Sequence, residues 1–340
     1  MSDDNTHGRD ARVTTDVPRS RGQLTGSQRS GGLPQAPIPR PSRRRFWSAQ
    51  ARCAPYVFLL PFVLAFVFFM LYPLARSLVM SFEKMAGGTR EARYVGLANY
   101  IFLLRDPLFW LACFNTALYA VLLLPIELAA SLGLALILNS RAVRFRNFFR
   151  FAFFSTYLVG QVFLAVLAYL MLSPRQGLVN RFIGAILPWV GTEMNWRGNP
   201  RLAMPAVVLA TLWVTVGYAM IYWLAALQAV DPRLYEAAAI DGAGPWMRFR
   251  HVTLPGIRPV AIFLILVGTI ASLQLFELPY VFFQGPGPSY MGMTIVEYLY
   301  GYGIQVGDLG FAAAVGWVLM AMILIVALLQ IKATGAMREA

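Results

Sequence analysis

A chain of 340 residues has room for two water-soluble domains, but with 58% hydrophobic and 13% charged residues it cannot cover itself in polar surface, and a membrane protein is expected. The formal net charge of +13 comes from 29 basic residues, all Arg except Lys84 and Lys332. A nucleic-acid ligand would need those charges gathered on one folded face, and their distribution along the chain argues against that.

The first 45 residues are rich in Arg, Ser, Gly and Pro and cannot bury enough apolar surface to offset chain entropy. They are predicted to form a disordered basic tail that reports topology, with attraction to anionic membrane lipid as the second reading. No secretory signal is expected, because the first apolar segment begins at Cys53 and is a full span. Crossing about 30 Å of hydrocarbon takes about 20 apolar residues. Six nearly charge-free windows meet that length: Cys53 to Ala75, Pro107 to Ser140, Phe151 to Pro174, Leu202 to Val230, Pro259 to Phe276 and Leu309 to Ile331. They predict an all-α integral membrane protein with spans at about 53–75, 115–138, 151–173, 203–228, 259–277 and 309–330, inside a membrane domain covering 53–331.

Two further apolar stretches do not qualify. Phe182 to Thr192 is half the needed length and reads as an interfacial or re-entrant piece. Leu278 to Val296 carries Pro279, Pro286 and Pro288, which remove backbone donors, and reads as an external loop. With the amino terminus inside, internal segments hold 20 basic residues and external connections eight, so both termini are predicted to be cytoplasmic. Cys53 and Cys113 then lie at opposite faces, which excludes a disulfide between them, and His7 and His251 alone make no metal site.

Between spans four and five, residues 231–255 read as a helix–turn–helix. Asp231 is a helix N-cap, Pro232 suits the first helical position, and the alanines after Glu236 propagate the helix until Gly242 or Gly244 ends it in a left-handed turn. Pro245 can open a second short helix. The order Glu236-Ala237-Ala238, Gly242, Val252, Leu254-Pro255 resembles the EAA loop of bacterial ABC importer permeases, with Asp241, Ala243 and Phe249 as in the carbohydrate permeases. From about Tyr56 to Gln330 the chain is similar to permeases of the maltose and glycerol-phosphate type, including Tyr94 to Tyr100, Asp106-Pro107, Asn115-Thr116 and Ala226-Leu227-Gln228. Gln284-Gly285-Pro286-Gly287-Pro288 and Glu277 depart from that pattern, and the last nine residues lack the Gly-rich tail of the partner-type permease.

The resemblance implies a second permease subunit, two separate ATPase subunits carrying ATP and magnesium, an extracytoplasmic solute-binding protein, and coupling through Tyr235, Glu236, Ala237, Ala238, Asp241 and Gly242. The chain has no ATP site or cofactor of its own: a phosphate-binding loop needs Gly-Lys-Ser or Gly-Lys-Thr, and neither Lys84 nor Lys332 has those neighbours.

A sugar path is expected near mid-membrane. On span four Thr211, Thr215, Tyr218 and Tyr222 recur at spacings of four, three and four on one helix face, with Trp213 at similar depth on another. Span five offers Gly268, Ser272 and Leu275, with Thr269 and Gln274 nearby. Small polar residues also serve helix packing in membranes, so each of these has a structural reading too. Glu127 is the one acid inside an apolar span and could contact substrate, pair with a partner or carry a proton. The proton-carrying role defines an alternative function, a proton-coupled secondary transporter. With no basic residue in the mid-membrane windows, a neutral oligosaccharide or disaccharide fits better than a sugar phosphate.

Overall fold

A computed structural model describes residues 56, 58–85, 92–140, 143–174, 177–186 and 194–335. The expected tail at 1–45 and Cys53 lie outside them. The chain separates into two units, 1–61 and 62–340; the described part of the first is Tyr56 and the opening of the first long helix.

That helix, α1, runs Phe58–Met80 and ends five residues beyond the predicted span. Its apolar side chains are almost all exposed, as expected of a helix that meets lipid or another subunit. A wide turn at Val67–Leu71, closed by Tyr72 N–H to the Val67 carbonyl, precedes Pro73 and makes room for its ring. Arg76 lies within α1 and pairs with Glu83 at 3.0 Å. After α1 the chain forms a small antiparallel sheet, β1 (Glu83–Met85) on β2 (Ala92–Tyr94), with Lys84 opposite Arg93. The all-α expectation therefore needs this correction.

Helix α2 (Ala98–Arg105) leads to α3 (Pro107–Asn139), which Asp106 caps by accepting from Leu108 N–H at 2.9 Å. At 33 residues α3 is about 50 Å long, well beyond the hydrocarbon core. It packs along α7 (Pro200–Ala229), which Asn199 caps. Tyr119 donates to Thr211 at 3.0 Å and Trp223 donates to Ser131 at 3.0 Å, so two buried hydrogen bonds fasten the pair in register.

The third predicted span is not one straight helix. Helix α4 (Arg146–Ser155) and a following tight turn (Thr156–Leu158) meet α5 (Gln161–Met171) at 101°, with Val159 and Gly160 extended at the break. A charge-free window records composition and is blind to such a break. α4 closes tightly on α7 at Gly217, where any β-carbon would run into the Phe153 carbonyl. Helix α6 (Leu178–Ile186) covers part of the stretch read as interfacial or re-entrant; residues 187–193 are not described.

Helix α8 (Pro232–Ile240) is followed by α9, which runs without interruption over Pro245–Leu273. The second short helix expected at Pro245 is thus the beginning of the fifth long helix. A wide turn at Phe249–Thr253 carries the helix past Pro255, the same solution found before Pro73.

The stretch read as an external loop is largely helical and partly core. Helix α10 (Glu277–Phe283) buries Leu278, Pro279, Phe282 and Phe283 against α5 and α7. Pro279 falls in its first turn, where no intrahelical donor is lost. Helix α11 (Ile295–Tyr300) is capped by Thr294, which accepts from Glu297 N–H, and its Tyr298 donates to Asp106 at 2.6 Å. Helix α12 (Leu309–Thr334) closes the fold, packing Phe311 and Val315 with Phe109, Ile295 and Tyr298. Among the described residues, α1, α3, α7, α9 and α12 are each long and apolar enough to cross a membrane, and the bent α4–α5 pair makes six if it counts as one span.

Candidate functional site

A cavity of about 600 Å³ lies where α3, the α4–α5 break, α7 and α9 converge, within the size range of small-molecule sites. Its α7 wall carries Thr211, Thr215 and Tyr218; its α9 wall carries Gly268 and Ser272, followed by Gln274 and Leu275; Glu127 enters from α3. Helical periodicity explains the first set: positions 211, 215 and 218 fall within about 60° of one another at 100° per residue. Tyr222 continues the stripe and accepts from the Tyr218 hydroxyl at 3.2 Å.

Two other sequence candidates point elsewhere. Trp213 is about 200° round α7 from Thr211 and lines a separate apolar cavity of about 670 Å³ with Met171, Phe182, Ile183 and Leu209. Thr269 donates to the Ile265 carbonyl and accepts from Gln330 on α12 at 2.7 Å, so it joins two helices and does not face the cavity.

The polar groups around the cavity differ in what they have left to offer. Thr211 is occupied, donating to the Val207 carbonyl and accepting from Tyr119. Thr215 donates to the Thr211 carbonyl at 3.2 Å and shares the cavity wall with Glu127. Ser272 Oγ is buried with no hydrogen-bond partner among the described residues, which leaves it for a ligand hydroxyl or water. Glu127 has no salt-bridge partner among the described residues, and the cavity lining contains Glu127 and Glu277 but no Lys or Arg.

Sequence reasoning missed Tyr119, Tyr157, Gln161 and Phe276, which also line the cavity. Tyr157 stacks on Tyr218 with ring centroids 4.5 Å apart and planes 21° from parallel, supplying the aromatic wall that Trp213 does not. Tyr157 and Gln161 flank the α4–α5 break, so their place depends on a bend the composition did not reveal. Gly160 was its one local sign.

The second site is the α8 loop. Asp231 accepts from Arg233 N–H at 2.9 Å and Pro232 takes the first helical position. At the other end Ala243 N–H bonds the Ala238 carbonyl at 2.9 Å and Gly242 N–H bonds the Ala239 carbonyl at 3.1 Å, with Gly242 at φ +77°. This is a Schellman closure, with glycine at the left-handed position that other residues resist. Glu236, Ala237, Asp241 and Gly242 are exposed, and Ala238 is half-buried. Tyr235 instead turns inward, its hydroxyl 3.0 Å from Thr253, and ties α8 to α9. Around the exposed face stand Leu234, Ile240, Trp246 and Met247; Ile240 is 87% exposed, an unusual cost for an isoleucine unless something covers it.

Residues 128–333 match the family described as binding-protein-dependent transport system inner membrane component. The arabinooligosaccharides transport system permease protein of Bacillus subtilis (strain 168) is 35% identical over 306 residues, 89% of this chain and 96% of the relative. A bacterial ABC transporter chain involved in import of the acidic polysaccharide alginate superposes with a TM-score of 0.74 at 25% identity, covering 86% of this chain and 99% of that one. A second structure, the alginate transporter in complex with an alginate pentasaccharide-bound periplasmic protein, gives 0.72 at 25% identity over 84% and 96%.

Proposed function

The chain belongs to the family of binding-protein-dependent transport system inner membrane components, and on that premise we propose that it is a permease subunit of an ATP-driven importer of neutral oligosaccharides or disaccharides. Its cavity forms half of a path completed by a second, dissimilar permease. Two ATPase subunits, holding ATP and magnesium, receive the exposed Glu236–Gly242 face of α8 together with Ile240 and Trp246. A solute-binding protein delivers sugar at the opposite face of the membrane. Closure of the ATPases is transmitted through α8 and Tyr235–Thr253 to α9, and rigid-body movement of the two permeases exposes the cavity to each side in turn. Both termini are then cytoplasmic, with the basic tail near anionic lipid.

The observation that carries the sugar reading is the cavity wall. Hydroxyl, carboxamide and carboxylate groups surround a stacked pair of tyrosines, which suits a ligand bearing many hydroxyls and apolar ring faces. Two carboxylates and no cation in that wall disfavour an acidic sugar or a sugar phosphate. The proton-coupled alternative through Glu127 has no support beyond that residue's position, and the family argues against it. In the complete transporter, Thr215→Val with Tyr218→Phe raises the KM for sugar uptake while the complex still assembles and hydrolyses ATP. Unchanged uptake kinetics would remove α7 from the path.

A further inference from the structure

Helices α10 and α11 are each anchored by one face only. Leu278 and Phe282 on α10 are 0% and 1% exposed, and Tyr298 on α11 is 2% exposed. On their other faces Tyr280 and Tyr300 remain half-exposed, as does Phe276 just before α10. These three rings form a closed triad: Phe276 to Tyr280 is 5.2 Å and nearly parallel, Phe276 to Tyr300 is 5.0 Å, and Tyr280 to Tyr300 is 5.1 Å. The triad adjoins the cavity, because Phe276, Glu277 and the α11 residue Val296 also line it. Polar groups rim it: Glu277 is exposed, and exposed Gln305 approaches the Tyr280 hydroxyl at 3.5 Å.

Its support is rigid. Thr294, the cap of α11, donates to the Leu275 carbonyl at 2.7 Å, one residue before Phe276, and Tyr298 is held by Asp106. The triad follows the end of α9 remote from α8, about 30 Å away along the 20 residues from Leu254 to Leu273. It therefore sits at the mouth opposite the coupling loop, where sugar enters if the proposed function holds.

Resting on that reading, we infer that Phe276, Tyr280 and Tyr300 form an entry subsite that stacks one ring of an oligosaccharide while its other rings occupy the cavity. The negative faces of the rings attract the polarised C–H groups of a sugar face, and Glu277 and Gln305 accept or donate to its hydroxyls. The subsite makes the transporter favour chains longer than the cavity alone would hold.

The test is a chain-length series. Arabino-oligosaccharides and malto-oligosaccharides of two to five units are offered to vesicles containing the full transporter with its binding protein. In the series that the wild type accumulates, Tyr280→Ala with Tyr300→Ala raises KM about 3- to 10-fold for four and five units, as loss of a stacked ring implies, and leaves the two-unit sugar unchanged. Tyr280→Phe with Tyr300→Phe retains most of the preference and guards against misfolding of the alanine variant. Equal loss at every length, or no change at any length, overturns the subsite while leaving the sugar-permease reading intact. A wild-type complex that accumulates neither series overturns both.

Discussion

Replacing Gly242 with Val tests the coupling loop where its geometry is most demanding. Gly242 sits at φ +77° with nothing within 4 Å of the position its β-carbon would take, so the substitution creates no clash and its whole effect is local conformation. Holding an L-residue in the left-handed region costs about 1–2 kcal/mol, more for a β-branched one. The alternative is to abandon the turn, which forfeits the Ala243–Ala238 and Gly242–Ala239 hydrogen bonds at about 0.5–1.5 kcal/mol each. The less costly route sets the effect, about 1–2 kcal/mol, which shifts the loop away from its native closure by about 5- to 30-fold. A nine-residue helix cannot offset that loss by its own propensity. Because the loop is exposed, insertion and the thermal stability of the membrane helices stay close to wild type. The assay is ATP hydrolysis by the complex in vesicles, with and without sugar-loaded binding protein. Gly242→Val should abolish most of the stimulation, whereas Gly242→Asn, which tolerates the left-handed region, should retain part of it. Wild-type stimulation in a fully assembled Gly242→Val complex would refute the reasoning.

Gly217→Ala places a β-carbon against the Phe153 carbonyl and must push α4 from α7, an overpacking cost of about 1–3 kcal/mol; a lower melting temperature of the detergent-solubilised protein is the expected result. Glu297 on α11 is buried, and burial pushes its carboxyl up to about 7, offset in part by the hydrogen bond from the Thr294 backbone. Since the folded protein holds this proton more tightly than the unfolded chain, the contribution is full below the ordinary carboxyl value and is lost as pH rises through about 7. Melting temperature measured from pH 5 to 8 should fall less steeply in Glu297→Gln than in the wild type, and identical slopes would count against it.

Composition and periodicity revealed most of the long helices because a span is a simple physical object: about 20 residues without charge. α3, α7 and α12 were legible on that basis, as was α8, whose cap, first-position proline and terminal glycine each have a local cause. The cavity was half legible. Thr211, Thr215 and Tyr218 share a face by helix geometry alone, and Ser272 was reached by matching depth. What escaped depends on contacts distant in sequence. The bend at Val159–Gly160 turns Tyr157 and Gln161 into the cavity, yet both lie in a window that reads as one charge-free span. The prolines after Leu278 suggest a loop, although Pro279 falls in a first turn that tolerates it, and the Thr294–Glu297 spacing of a capping box, a local sign of α11, was overlooked. Trp213 shows the converse: it matches the stripe in depth, but its place on another face carries it into a separate apolar cavity.

On the proposed function, this chain moves sugar only as part of an ATP-driven complex. Vesicles containing the chain, its second permease and the ATPase subunits, with sugar-loaded binding protein outside and ATP within, measure it most directly. Accumulation that stops when ATP, the ATPases or the binding protein is withheld is the predicted result. Accumulation driven by a proton gradient in vesicles lacking the ATPases would contradict it.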